Sequence, residues 1–152
     1  MTGSTASPST SDRQTWMAVL ARASGAELAR RGEGLLPAYA RLRGPEAGLV
    51  MLQGRAGGTG APFNLGEATV VRCTVRTAEG QVGHAYCLGR DLRQAELAAA
   101  LDAVLQDPAR HDAVQAKVIR PLAAEQDAGR RRTERRAAAT QVQFFTLATM
   151  RS

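Results

Sequence analysis

The stretch ATVVRCTVRTAEGQVGHAYCL, residues 68–88, decides the fold. Its first half alternates, with Val71, Cys73 and Val75 on one side and Arg72, Thr74 and Arg76 on the other. That period of two belongs to a half-buried β-strand. Glu79-Gly80 supplies a tight turn, and residues 81–88 continue as the second arm of a hairpin. Read with a two-residue turn, the hairpin sets Cys73 near Tyr86 on one face and points Cys87 to the other. No disulfide is expected across it.

Working outward toward the N-terminus, a glycine-rich loop at 54–64 holds Gly57, Gly58, Gly60 and Pro62, and the apolar residues 49–53 before it read as another strand. Gly44-Pro45 marks a turn, and a short helix is expected over 35–42. Further upstream, Trp16, Val19, Leu20, Ala23 and Leu28 recur at helical spacing. They predict one helix over 12–31, opened by the pair Ser11 and Gln14 and stopped by Gly32 and Gly34. Residues 1–10, rich in Ser, Thr, Gly and Pro, read as a disordered tail, which leaves 11–152 as a single domain.

Toward the C-terminus, Asp91 with Gln94 signals a helix start, and Ala95, Ala98, Leu101 and Leu105 line one face of that helix. Asp107-Pro108 opens the next, in which His111, Val114, Val118 and Leu122 share a face and Pro121 kinks or divides the run. After the polar, arginine-rich residues 123–139, residues 141–150 (QVQFFTLATM) read as a final strand. The expected fold is α+β: a largely antiparallel four-stranded sheet with helices packed mainly on one face. The last strand belongs either to this sheet or to that of another copy in a strand- or domain-swapped dimer, and sequence leaves both open.

The chain of 152 residues suits one domain. Aromatic residues are only 4%, so alanine and leucine carry much of the packing, which hints that a partner completes the core. The net charge is +6, and all but one of the 20 basic residues are arginines. Such a surface suits nucleic acid, an acidic subunit or a phosphorylated ligand. No apolar run reaches the length of a membrane span. The N-terminus has no signal-peptide pattern, and the two cysteines form no metal-ligand or disulfide framework. The expected location is the cytoplasm.

Several features can carry chemistry. The glycine-rich loop can turn its N–H groups toward an anion, with Arg55 beside it, or it can be a plain connection. It is neither a P-loop nor a dinucleotide fingerprint, because no Gly-Lys-Ser/Thr follows and a strand rather than a helix comes next. Glu67 is a candidate base or half of a surface ion pair. Cys73 shares the apolar side with Val71 and Val75, as a buried structural thiol would, and a nucleophilic role would need cations beside it. His84 and His111 lie far apart, so no zinc site is expected within this chain. Arg90 ends the hairpin, where Asp91 already occupies the helix cap. The run Arg130–Arg136 lacks interleaved aromatics, which leaves a solvated helix face or an acidic partner ahead of nucleic acid.

The combination goes further than its parts. RQTWMAVLARAS (13–24), LRGPEAGLVMLQGRAGGTGAPFNLGEATVVRCTVR (42–76), GHAYCLGRD (83–91), LDAVLQD (101–107), VIRPL (118–122) and QVQFFTLATM (141–150) together resemble the PhnG family of the bacterial carbon–phosphorus lyase machinery. The resemblance implies an accessory subunit of a core complex with PhnH-, PhnI- and PhnJ-like partners, two copies of this chain in it, and no membrane. The implied reaction transfers a phosphonate such as methylphosphonate to C1′ of the ATP ribose and releases adenine. The resemblance assigns nucleosidase chemistry chiefly to the PhnI-like subunit and radical C–P cleavage to the PhnJ-like one. It gives this subunit no cofactor, leaves ATP as a substrate of the complex, and carries over no catalytic residue. The substrate-facing or interface candidates are Arg55, Gly57, Gly58, Asn64, Glu67, Arg72 and Arg90. The competing reading is a stand-alone basic module that binds nucleotides or nucleic acid.

Overall fold

A computed structural model describes residues 9–140. Helix α1 (Thr10–Arg22) and helix α2 (Gly25–Gly32) precede the long strand β1 (Tyr39–Arg55). A short 3-10 turn, Ala56–Gly58, connects it to β2 (Pro62–Thr77), and β3 (Val82–Leu88) completes an antiparallel sheet of order β1-β2-β3. Helices α3 (Leu92–Leu105), α4 (Pro108–Val114) and α5 (Arg120–Ala139) follow, with the π-helical turn Gln115–Ile119 between the last two. The architecture is α+β with the helices on one face of a three-stranded sheet. The expected fourth strand, 141–150, lies outside the described residues.

The core forms where α3 lies across β2 and β3. Val71, Cys73 and Val75 of β2 and Ala85 and Cys87 of β3 point into it. Trp16, Leu20 and Leu28 cover it from α1 and α2, and Val114, Val118 and Leu122 close one end. Most of α3 is buried, including Ala95, Ala98, Ala99, Ala103 and Leu101. Its alanines let the helix approach the sheet closely at the cost of little buried area per residue.

One buried carboxylate ties three of these elements together. Asp102 on α3 has 0% exposure and accepts from Arg13 Nη2 at 2.7 Å, Arg13 Nε at 3.2 Å, Trp16 Nε1 at 2.8 Å and the His84 backbone N–H at 2.9 Å. Its charge is thus matched by a guanidinium and its lone pairs are shared with α1 and β3, the condition under which a buried carboxylate is tolerated.

Several local expectations change in the structure. The helix expected over 12–31 is two helices. Ser9, not Ser11, caps the first by accepting from the Asp12 N–H, and Ser24 caps the second by accepting from the Glu27 N–H. A second competent cap inside the run lets the chain turn without losing N–H partners.

The helix expected over 35–42 is replaced by the start of β1. Tyr39 pairs with Thr77, and Arg41 forms two hydrogen bonds of 2.8 Å with Glu96 on α3. These long-range contacts override a weak local helical preference. Gly44-Pro45, expected as a turn, lies within β1 as a cis peptide beside two register irregularities. The expected 54–64 loop is shorter, because pairing continues through Gln53 with Asn64, Gly54 with Phe63 and Arg55 with Pro62.

The hairpin register also differs by one residue. The Thr77 N–H donates to Gln81 O, so three residues rather than two make the turn, with Gly80 at φ 99°. Cys73 therefore faces Ala85, Val71 faces Cys87, and Arg72 faces Tyr86. A one-residue slip exchanges the faces of a strand: Cys87 joins Cys73 on the buried side, and Tyr86 faces solvent. Both thiols are free, and their positions are diagonal rather than opposite.

Candidate functional site

The ribbon of β1 and β2 outreaches β3, and this sets the geometry of the candidate residues. The last pair joining β3 to β2 is Leu88 with Val70, yet β2 runs back to Pro62. Eight residues at about 3.3 Å each make an arm of about 27 Å. Residues 49–68 are exposed or half-buried throughout.

Four of the seven candidates gather at or near the arm's tip. Arg55 ends β1, Gly57 and Gly58 form the turn with φ of 62° and 76°, and Asn64 pairs with Gln53. The two positive-φ glycines let the chain reverse without a steric penalty. Glu67 stands part-way down the arm opposite Met51. Arg72 lies about 27 Å from Asn64 along β2. Arg90 is exposed beyond β3, next to Gly89, whose N–H donates to Thr69 O at 2.9 Å. The seven residues thus occupy the tip, the shaft and the base of the arm rather than one pocket.

Arg72 belongs to an ion-pair group that sequence reading missed. Glu46 accepts from Arg72 Nε and from Arg43 Nε, each at 2.7 Å. Those two guanidinium contacts, Arg43 first, hold the Glu46 carboxyl below its ordinary range, and Glu46 in turn raises Arg72. Glu46 sits in Gly44-Pro45-Glu46, which reads as a turn, so its pairing across a sheet carried no local signal. On the same outer face the Thr74 hydroxyl and His84 Nδ1 are hydrogen-bonded at 3.2 Å.

The thiols offer no nucleophile. Burial raises Cys73 above its ordinary value, and burial, with a smaller contribution from Asp91, pushes Cys87 up to about 11. Both remain thiols at neutral pH, the unreactive form. No group of three or more His, Cys, Asp or Glu side chains among the described residues is placed to hold a metal ion. No described helix is long and apolar enough to cross a membrane.

A cavity of about 420 Å³ lies among the helices, lined by residues including Asp12, Trp16, His111, Asp112 and Gln115. The His111 ring packs edge-on to Trp16 at 5.6 Å, and its Nδ1 is hydrogen-bonded to Leu105 O at 2.7 Å. Two carboxylates and no arginine or lysine line this cavity. The arginine run on α5 faces solvent, with Arg130 paired to Asp127 one turn earlier.

Residues 11–150 match the family described as phosphonate metabolism protein PhnG. The α-D-ribose 1-methylphosphonate 5-triphosphate synthase subunit PhnG of Rhizobium meliloti (strain 1021) is 47% identical over 137 residues, which covers 89% of this chain and 87% of that protein.

Proposed function

We propose, from the premise that the chain belongs to the PhnG family, that it is an accessory subunit of an α-D-ribose 1-methylphosphonate 5-triphosphate synthase and works in phosphonate metabolism. The observation that carries this is the match over residues 11–150, which reaches every helix and strand of the described fold. The relative's name as a subunit of a synthase supports placing catalysis in the assembled complex rather than in this chain alone.

The finer points of the proposal follow from the family. The complex moves a phosphonate onto C1′ of the ATP ribose and releases adenine, with PhnI-, PhnH- and PhnJ-like partners, two copies of this chain and a cytoplasmic location. ATP is a substrate of the complex, and this subunit carries no cofactor of its own. Residues 141–150 would supply a fourth strand, either to this sheet or to that of a second copy. The alternative of a stand-alone basic module that binds nucleotides or nucleic acid has no support beyond the arginines of α5, which lack the aromatic platforms that single strands stack on.

Arg55, Gly57, Gly58 and Asn64 at the arm's tip are proposed to face substrate or a partner, with Glu67, Arg72 and Arg90 along its length and base. In a reconstituted complex, Arg55→Ala is expected to lower the rate of adenine release about tenfold while assembly persists, as loss of one charged contact to a phosphoryl group would do. Glu67→Gln is expected to act in the same direction. Adenine release at the normal rate by intact complexes carrying either change would remove that residue from the substrate-facing set. Loss of assembly would make it an interface residue instead.

A further inference from the structure

The second half of α5 leaves the body of the protein. Its last hydrogen bonds to the body, among the described residues, come from Gln126, which donates to Val19 O at 2.9 Å, and from the pair of Arg31 with Glu125. From Gln126 to Thr140 the helix runs on for about 21 Å, and residues 131–140 are all exposed. The same stretch concentrates charge, since residues 130–136 hold five arginines and one glutamate. Arg130 is paired with Asp127, and the other four arginines form no ion pair among the described residues. Arg131 stands one turn from Arg135 and Arg132 one turn from Arg136, like-charge spacings that weaken a helix on its own. A half-helix with self-repelling charge and no packing is held by a negative surface laid against it.

A complementary surface lies at the other end of the same helical run. Helix α4, the π-helical turn and α5 follow without a break, and Val114, Gln115, Ile119 and Arg120 all keep right-handed helical angles. Beside α4, Asp12 of α1 and Asp112 line the 420 Å³ cavity, and no arginine or lysine does. Asp12 accepts from Ser9 Oγ at 2.7 Å, and neither carboxylate forms an ion pair among the described residues. Leu105 and Ile119 supply apolar wall, and Thr15, Gln106 and Gln115 supply polar groups. Such a lining suits the aliphatic stem and the charged head of an arginine. From Asp112 to Arg132 the run rises about 30 Å, so the arginines lie beyond reach of the cavity on their own chain.

We propose that the arginine half of α5 docks on a second copy of this chain, at the cavity between Asp12 and Asp112, with the two helical runs antiparallel. A two-fold axis then makes the contact twice, each copy giving its arginines and receiving those of the other. Charge selects this occupant. Residues 141–152, QVQFFTLATMRS, contain no Asp or Glu, so they offer the arginines no counter-charge. An acidic face on a different subunit would answer the arginines and leave the carboxylates of the cavity unmatched, whereas a second copy answers both. The inference goes beyond the subunit role proposed above and does not rest on it.

The test is a charge exchange on the full chain, read by sedimentation after nuclease treatment. One variant carries Arg131→Glu with Arg132→Glu, and the other carries Asp112→Arg. The first turns two like-charge spacings within α5 into opposite-charge ones, so the helix itself is not weakened; circular dichroism checks that both variants are folded. Wild type is expected to dimerise at micromolar concentration, and less tightly as salt is raised. Each variant alone is expected to dimerise roughly tenfold or more weakly, because both of its contacts then oppose like charges. An equal mixture of the two is expected to recover the dimer, since every contact in the mixed pair again joins opposite charges. A monomeric wild-type chain, a folded variant that dimerises as wild type does, or a mixture no tighter than its components overturns the proposal. A wild-type dimer seen only before nuclease treatment overturns it in favour of a bridging nucleic acid. An arginine variant that keeps the dimer but loses a purified partner subunit overturns it in favour of an acidic face on that subunit.

Discussion

Replacing Asp102 with alanine is expected to destabilise the chain by about 3–5 kcal/mol, the range for removing one partner of a buried ion pair. The reason is what remains. Arg13, whose guanidinium makes two of the contacts to Asp102, would keep only its 3.2 Å bond to Val82 O. The Trp16 indole N–H would lose its acceptor inside the core, and the His84 N–H would lose its own at the sheet. A shift of roughly 10 °C in the melting temperature follows for a domain of this size. Asp102→Asn keeps the volume but replaces one accepting oxygen with a donor that faces other donors, so it should cost less than alanine without being neutral. Thermal unfolding followed by Trp16 fluorescence measures both. A loss below about 1 kcal/mol for the alanine variant would show that the carboxylate is not the tie between α1, α3 and β3.

Gly83→Ala is expected to have an effect of similar size through a different cause. A Cβ on Gly83 would stand 1.9 Å from Ala99 O, 2.6 Å from Ala103 N and 2.9 Å from Ala103 Cβ. All three atoms belong to the backbone or to the shortest side chain, so no rotamer change relieves the clash. Helix α3 would have to move off the sheet, and much of the core lies between them. Overpacking usually costs 1–3 kcal/mol, and contact this close with rigid atoms puts the variant at or beyond the upper end, about 3 kcal/mol or more. Denaturant unfolding of the variant is the measurement. Wild-type stability would mean that α3 sits further from β3 than described.

These two positions also show where sequence reading stops. Asp102 is an acidic residue in an alanine-rich helix, and its partners on α1 lie more than eighty residues away in sequence. Nothing local says that it is buried. Gly83 in a strand suggests a close approach, but the approaching element is visible only after α3 is laid across the sheet. The alternation of Val71, Cys73 and Val75 was legible because one face of β2 is buried and the period of two follows from that alone. The caps at Asp91 and Asp107 were legible because each satisfies N–H groups within a few residues. The register of the β2–β3 hairpin was not, since a two-residue and a three-residue turn around Glu79-Gly80 differ only in whether Ala78 pairs. That single residue reversed the direction of Cys87 and Tyr86.

The candidate site was legible as a family signature and not as a geometry. Residues 42–76 carry most of the recognisable motif, and the candidate residues were drawn from the glycine-rich loop and from the arginines that flank the hairpin. A β-ribbon converts closeness in sequence into distance, at about 3.3 Å per residue. Arg55 and Arg72 are therefore at opposite ends of an arm. Glu46, concealed in an apparent turn, is the residue that holds Arg72.

As a subunit of a phosphonate-processing synthase, the chain is expected to be needed for turnover. The most direct measurement is adenine release from ATP in the presence of methylphosphonate, by a complex reconstituted with and without this chain. Release is expected to be lost when the chain is omitted and restored when it is added back. Release at the full rate without it would contradict the account.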